Sequence, residues 1–318
     1  MKVLLTGATG YIGSAISRSL RSLGVVSLPL VRSKMSLSNS SRAIEFDLED
    51  LSSFNWEIFK GFDVLIHTAA LAHIPKGEGC SSLNKYRKIN CAATLELAKF
   101  AINAGVKRFV FLSSIGVNGV GSDRPFTEKD EVVPHDEYSL SKYEAELGLL
   151  DIARNTEMEV VIIRPPLVYG PRAPGNFKTL VKWIRNSVPM PFGAINNLRS
   201  FIALDNLVDF TIFCSDKRRS PRAANEIFLI SDGEDISTSE FLRKVAKSYK
   251  VKSRLISVPI SWMQFAAKIF GKGYISDRLF GNLQVDSSKA RGLLGWRPII
   301  SMDEQLEKIA AFDGVKKE

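Results

Sequence analysis

The chain opens on a short apolar run that breaks into evenly spaced glycines, Lys2-Val3-Leu4-Leu5-Thr6-Gly7-Ala8-Thr9-Gly10-Tyr11-Ile12-Gly13. The run reads as a strand, and Ile12 to Leu23 directly after it carries apolar residues at helical spacing. A strand that turns on glycine straight into a helix leaves few folds open. Gly7 permits a tight turn, Gly10 lets the backbone approach a pyrophosphate, and Gly13 lets the helix pack on its strand. The helix N-terminus then favours phosphate charge. The motif predicts a dinucleotide site, with Gly7, Gly10, Tyr11, Ile12 and Gly13 as candidate contacts.

The rest of the chain extends this plan. Strand-like runs at Lys2 to Thr6, Val25 to Val31, Ala43 to Phe46, Asp63 to His67, Arg108 to Ser113, Glu159 to Arg164 and Glu226 to Ile230 alternate with helical patterns. The helices are expected at Ile12 to Leu23, Leu83 to Ala104, Tyr138 to Asn155 and Asp205 to Asp216. Near-continuous apolar strands separated by helices imply a parallel sheet covered on both faces, an α/β, Rossmann-like, doubly wound fold. After Arg164, prolines at 165, 166, 171, 174, 189 and 191 break the chain into short pieces. A smaller substrate-facing lobe is expected there. The predicted division is 1–165 plus about 205–230 for the dinucleotide domain and 166–204 plus about 231–318 for the lobe.

Composition narrows the setting. No stretch reaches the ~18 uninterrupted apolar residues of a membrane span, and the most apolar segment near the C-terminus, Trp262 to Phe270, contains Gln264 and Lys268. The N-terminus has no signal-peptide core, so a cytoplasmic protein without membrane insertion is expected. Cys80, Cys91 and Cys214 read as free thiols, and they and His67, His73 and His135 lack metal-ligand spacing, so no metal is expected. The net charge of +9 fits nucleic acid, an anionic membrane surface or a small anionic substrate equally well. The densest basic patch, Lys217 to Arg222, lacks interleaved aromatics and reads as an exposed turn, which argues against nucleic acid.

Further candidates sit at successive strand ends. Val31 is followed by Arg32, whose guanidinium suits a 2′-phosphate or stacks on adenine; this favours NADP(H) over NAD(H), with Ser33 and Lys34 as helpers. Asp47-Leu48 follows the third strand and can meet adenine, and Thr68-Ala69-Ala70 after His67 allows a dinucleotide close to the sheet. Tyr138 and Lys142 are four apart on one helix face, where an ammonium and an oxidised nicotinamide both favour phenolate. Ser114, at the end of the fifth strand, is positioned to hydrogen-bond a reacting oxygen.

Together with Asn90, Thr94, Ser113-Ser114 and Arg164-Pro165-Pro166-Leu167-Val168-Tyr169-Gly170-Pro171, these motifs make the chain resemble the extended short-chain dehydrogenase/reductase family over nearly its whole length. The resemblance is to its nucleotide-sugar epimerases and reductases. It implies Ser114, Tyr138 and Lys142 as the catalytic triad, Asn90 steadying the nicotinamide end, and Tyr138 and Lys142 also touching the cofactor. It further implies a UDP-sugar substrate contacted by Ser114, Asn176, Arg199 and Arg278, with Asn206 adding a polar contact. A homodimer pairing Leu83 to Ala104 with Tyr138 to Asn155, and a role in surface-polysaccharide precursor supply, are implied in the same way.

Departures from the pattern bear on the reaction. Sugar dehydratases carry an acidic pair where Ile115-Gly116 stands, and 4-epimerases typically carry Tyr at Asn118 and often Asn at Leu167. The segment Ser113 to Gly119 is similar instead to bacterial reductases of UDP-4-keto-6-deoxy-N-acetylhexosamines. The expected activity is therefore C4 ketoreduction, with a UDP-N-acetylhexosamine 4-epimerase as the alternative and a non-catalytic dinucleotide-binding regulator as a third reading.

Overall fold

The computed structural model describes residues 1–33, 43–51, 54–72, 82–269 and 280–315, without the side chains of 176, 265–269 and 315. Seven parallel strands make the main sheet: β1 (Lys2–Thr6), β2 (Val26–Val31), β3 (Ile44–Glu45), β4 (Val64–His67), β5 (Arg108–Leu112), β6 (Glu159–Arg164) and β9 (Glu226–Leu229). Their spatial order is β3-β2-β1-β4-β5-β6-β9, so the winding reverses between β1 and β4 and opens a crevice at the carboxyl ends there.

Side-chain alternation assigns the two faces. Along β5, Val110 and Leu112 join Ile16 and Leu20 of α1 (Tyr11–Ser22) and Phe210 of α6 (Leu204–Ser215). Phe109 and Phe111 point the other way, into Leu97 and Ala101 of α3 (Ala93–Asn103) and Ala145 and Leu149 of α4 (Glu137–Asn155). The expected Rossmann-like sheet is present, and its strand ends fall within one residue of those read from the sequence.

One helix departs from expectation. The stretch anticipated as continuous over 83–104 is α2 (Ser82–Tyr86), a π-helical segment (Arg87–Ala92) and then α3. The wider turn carries Asn90 to partners outside the helix, a local irregularity of the kind found at functional sites.

The small lobe has a three-stranded sheet in which β8 (Arg199–Ala203) lies between β7 (Leu167–Tyr169), parallel to it, and β10 (Asp235–Ile236), antiparallel to it. α5 (Asn176–Arg185), α7 (Thr238–Ser248) and α10 (Met302–Val315) bury Val181, Ile184, Leu242, Val245, Leu306 and Ile309 with it. Phe201 and Phe241 stack at 4.4 Å inside this core. α8 (Ile260–Ile269) follows α7 at the surface, whereas α9 (Ser288–Leu294) and Trp296 return to the main sheet, where Trp296 meets Phe210 at 4.8 Å.

The chain crosses between the sheets several times, and Asp232 ties the crossings. Its carboxylate accepts from Tyr169 Oη (2.7 Å), the Ala203 amide (2.9 Å) and Asn206 Nδ2 (2.7 Å). Asn206 is fully buried and also accepts from the amides of Ile299 and Ile300 and donates to the Ile300 carbonyl. The substrate contact expected of Asn206 is thus corrected: every polar atom of its side chain is used inside the fold.

Candidate active site

The first βα turn forms as its glycines require. Gly7 has φ +70°, the left-handed region that favours glycine, and a Cβ at Gly13 would run into the Gly7 carbonyl and Thr68 Oγ1. Gly10 precedes α1 with no side-chain cap, and the first helical turn holds no acid, so no side chain of its own competes with an anion at that end.

Beside this turn a cavity of about 350 Å³ lies over the carboxyl ends of β1, β2 and β4. Gly7, Gly10, Arg32, Asp47, Leu48, Thr68, Ala69 and Ala70 all line it, as the sequence suggested. Leu30, Phe46, Glu49, Leu71, Ala72 and Ile89 line it as well and were missed. They lie next to the strand ends, so proximity to a motif was the available signal. An elongated ligand with a phosphate near Gly10 and an apolar ring near Leu30 and Phe46 suits this wall. The residues fit a dinucleotide: glycines hold the space that side chains would fill, and donors sit at the phosphate end.

The cavity floor is held by a buried chain of hydrogen bonds. Thr6 Oγ1 meets His67 Nδ1 at 2.7 Å, His67 Nε2 meets Thr94 Oγ1 at 2.9 Å, and Thr94 donates to the Asn90 carbonyl at 2.8 Å. Asn90 then clamps two elements, exchanging bonds with both backbone groups of Leu71 (2.8 and 3.0 Å) and donating to Ser141 Oγ at 3.0 Å. Burial, reinforced by the Lys142 charge, holds His67 well below the usual imidazole range, so it is neutral scaffold. Asn90 therefore fixes the loop after β4 against the helix that carries Tyr138 and Lys142.

Tyr138 and Lys142 lie in the first two turns of α4, capped by Asp136, whose carboxylate accepts from the Ser139 amide at 2.7 Å. Lys142 is 1% exposed, with Nζ 3.9 Å from the Phe111 ring centroid, and burial lowers its pKa to about 7 against the pull of Glu146. Tyr138 stands edge-on to Tyr86 at 6.2 Å, and burial, with Asp136 and Tyr86 nearby, pushes its phenol up to about 12. Burial outweighs the pull toward phenolate expected of Lys142, and the pull expected of an oxidised nicotinamide would act only with the cofactor bound. In this chain burial governs both groups and favours the neutral form of each.

Ser114 begins a short turn after β5, its Oγ accepting from the Gly116 amide at 3.1 Å. The turn abuts the start of α4: a Cβ at Gly116 would collide with Ser139 Oγ and lie 2.7 Å from His135 Cε1. Ile115 is buried against Phe126, Leu229 and Val285. Neither position has room for the acidic pair that dehydration needs. Asn118 is 2% exposed and accepts from Arg164 Nη1 at 3.0 Å, so it is part of the packing and not of a sugar pocket.

Among the substrate candidates, Arg199 is half-buried at the start of β8 and donates to the Gly281 carbonyl at 3.1 Å, linking the small sheet to the segment after residue 280. Arg278, the Asn176 side chain, Lys34, His73 and Cys80 lie outside the described residues. Cys91 and Cys214 are free thiols. Lys217 pairs with Glu159 at 2.7 Å, and Arg218 and Arg219 are exposed in a turn. Among the described residues no group of His, Cys, Asp and Glu is arranged to hold a metal.

A UDP-glucose 4-epimerase of Vibrio cholerae is 41% identical over 314 residues, 97% of this chain and 94% of that one. MoeE5, solved in complex with UDP-glucose and NAD, shares the fold with a TM-score of 0.78 at 24% identity, over 100% of both chains. WbmG of Bordetella bronchiseptica, solved with NAD, does so with a TM-score of 0.79 at 21% identity, over 99% of this chain and 94% of that one. The family model described as "NAD dependent epimerase/dehydratase family" matches residues 3–230, from the first strand through the last of the main sheet, and the chain is a member of that family.

Proposed function

We propose that the protein transfers hydride at C4 of a UDP-linked hexose, and that the reaction is reduction of a 4-keto-6-deoxy sugar. The observation that carries the reading is that the turn begun by Ser114 packs on the start of α4, the helix of Tyr138 and Lys142, which Asn90 ties to Leu71 in the wall of a cavity suited to a dinucleotide. Reduced nicotinamide, when bound, supplies the hydride to C4. Ser114 Oγ orients the ketone oxygen, and Tyr138 gives its phenolic proton to O4 as the alcohol forms. Lys142, with a pKa of about 7, carries a proton that neutral solution can restore and so supports reprotonation of Tyr138. One ketone and one reduced cofactor become one alcohol and one oxidised cofactor, with a proton taken from solvent through Tyr138.

The 6-deoxy preference rests on Leu167. It opens β7 and is 44% exposed, two residues after Pro165, whose carbonyl accepts from the Ile115 amide beside Ser114 at 3.0 Å. An exposed leucine there offers a sugar a methyl-sized apolar contact in place of a hydroxyl partner. The second reading, 4-epimerisation of a UDP-hexose, is favoured by the 41% identity to the UDP-glucose 4-epimerase of Vibrio cholerae and uses the same residues with no net cofactor change.

For the cofactor, Arg32 shares the cavity with Asp47 and Glu49. A 2′-phosphate would meet one cation and two carboxylates, which supports NAD(H); the Arg32 argument for NADP(H) pulls the other way. Residues 1–165 with 205–230 serve the dinucleotide and 166–204 with 231–318 the nucleotide sugar, in a cytoplasmic homodimer through α3 and α4. The test is absorbance of reduced nicotinamide on mixing with the UDP-4-keto-6-deoxy sugar and NADH or NADPH, with Tyr138→Phe as control. Stoichiometric oxidation abolished in the control is expected. A flat trace with C4 inversion of UDP-glucose or UDP-N-acetylglucosamine replaces the reductase with the epimerase.

A further inference from the structure

The net charge of +9 is not spread along the chain. Between Glu159 and Asp205 there is no acidic residue, nor is there one between Glu240 and Asp277, and these stretches carry six and eight Lys or Arg. That excess is larger than the whole net charge, so the remaining chain is acidic on balance.

The structure joins the two stretches on the small lobe. α5 and α7 share a core of Val181, Ile184, Leu242 and Val245. The segments that follow these helices pair with each other: the Met190 amide donates to the Arg254 carbonyl at 2.9 Å, Ile256 to Met190 at 2.8 Å, and Gly193 to Ile256 at 2.9 Å. Lys178, Lys182, Lys247, Lys250, Lys252 and Arg254 are exposed and, among the described residues, make no ion pair. Lys244, by contrast, is held by Glu234 and Asp303.

The same contiguous segments expose apolar side chains. Trp262, on α8, is 71% exposed, Ile256 54% and Trp183 41%, and Val188, whose amide bonds to the Trp183 carbonyl, is also exposed. Tryptophan is favoured at a lipid–water boundary, where its ring is apolar and its N–H stays wet. Basic side chains beside it add attraction to anionic headgroups. No described helix is long and apolar enough to cross a membrane, so such a face would lie on a bilayer.

We propose that this face docks the small lobe on an anionic phospholipid surface, with Trp183, Ile256 and Trp262 at the headgroup boundary and Lys250, Lys252 and Arg254 against lipid phosphates. A nucleic-acid groove would interleave base-stacking aromatics with its cations, and the aliphatic Val188 and Ile256 have no role in one. A second copy meeting this face symmetrically would bring like charge onto like charge.

The test is flotation of the full chain with vesicles of phosphatidylglycerol mixed with phosphatidylcholine, against phosphatidylcholine alone. Binding to the anionic vesicles only, weakened by salt, is expected. A Lys250→Gln/Lys252→Gln/Arg254→Gln variant loses about five-fold per charge removed, so roughly a hundredfold in all. Trp262→Ser weakens binding and diminishes the vesicle-induced blue shift of tryptophan emission, to which Trp183 still contributes. Arg218→Glu, in the turn after α6, leaves binding unchanged, and C4 activity on soluble UDP-sugar stays intact in every variant. Equal binding to neutral vesicles, no binding at all, or indifference to the triple variant overturns the proposal. So does tighter binding of duplex DNA that displaces the vesicles, or a solution dimer that Trp262→Ser abolishes.

Discussion

The two ends of the parallel sheet treat buried charge in opposite ways. At the amino end of β5, Arg108 is fully buried and fully used: it donates to Glu159 at 2.6 and 2.8 Å, to the Cys214 carbonyl at 2.7 Å, and to Ser220 Oγ and carbonyl at 2.9 and 3.1 Å. At the carboxyl end, Arg164 is buried too and bound to Glu146 and Asn118, but among the described residues the Lys142 ammonium, on the same helix as Glu146, makes no hydrogen bond or ion pair and lies over the face of Phe111. Nearby, Tyr11 Oη and Ser113 Oγ are buried with no hydrogen-bond partner among the described residues. One end spends its polar groups on stability; the other keeps some unsatisfied. Such groups cost free energy in the chain alone and are where ligand contacts gain most.

Variants can break that contrast. The largest effect is expected at the reacting group: Tyr138→Phe lowers kcat about 10²–10⁴-fold while leaving the thermal midpoint within a few degrees, read by steady-state kinetics and calorimetry. Next is Arg164→Met, which leaves Glu146 buried and unpaired and costs about 3–5 kcal/mol in urea unfolding. Arg108→Met costs less, about 1–3 kcal/mol, because Glu159 keeps Lys217 at 2.7 Å. An equal loss in the two arginine variants would erase the distinction between the ends.

Lys142→Met sharpens the contrast by moving stability and activity apart. With the folded pKa at about 7 and the unfolded one at 10.5, the unfolded chain binds one more proton between those values. Stability of the native protein therefore rises with pH across that window, and below about 7 the burial penalty is present in full. The methionine variant removes this slope and gains up to a few kcal/mol at neutral pH, while kcat falls. A variant no more stable than the parent at pH 7 would mean that the ammonium is compensated in the fold. The smallest effect is expected for Asn90→Ala, which frees the loop after β4 from α4 and lowers kcat/KM by about ten-fold.

What the sequence disclosed follows the same division. The central parallel strands β1, β4 and β5 were readable because they are apolar on both faces, and the glycine turn because it needs φ and space that only glycine supplies at Gly7 and Gly13. The Tyr138–Lys142 spacing was readable because a helix puts residues four apart on one face. The remainder depends on partners distant in sequence. Nothing local in Arg108 or Arg164 tells that one reaches Cys214 and the other Glu146, and nothing in Asn206 or Asn118 tells that their amides are consumed inside the fold. The π-helical turn at Arg87–Ala92 was hidden because 83–104 has good helix formers throughout. α5 was hidden by the surrounding prolines, although Phe177, Val181 and Ile184 already carry its apolar spacing.

The late arrival of β9 has a consequence for synthesis. β6 pairs with β5 on one side and with β9 on the other, and about sixty residues, first a stretch of the small lobe and then α6, separate β6 from β9. A nascent chain that has folded its first six strands therefore presents Val160 to Ile163 along an open edge until the ribosome has delivered the lobe and the returning strand. Fragments ending near residue 165 would keep that edge permanently, so they are expected to aggregate, and chaperone dependence during translation should peak before residue 226 emerges.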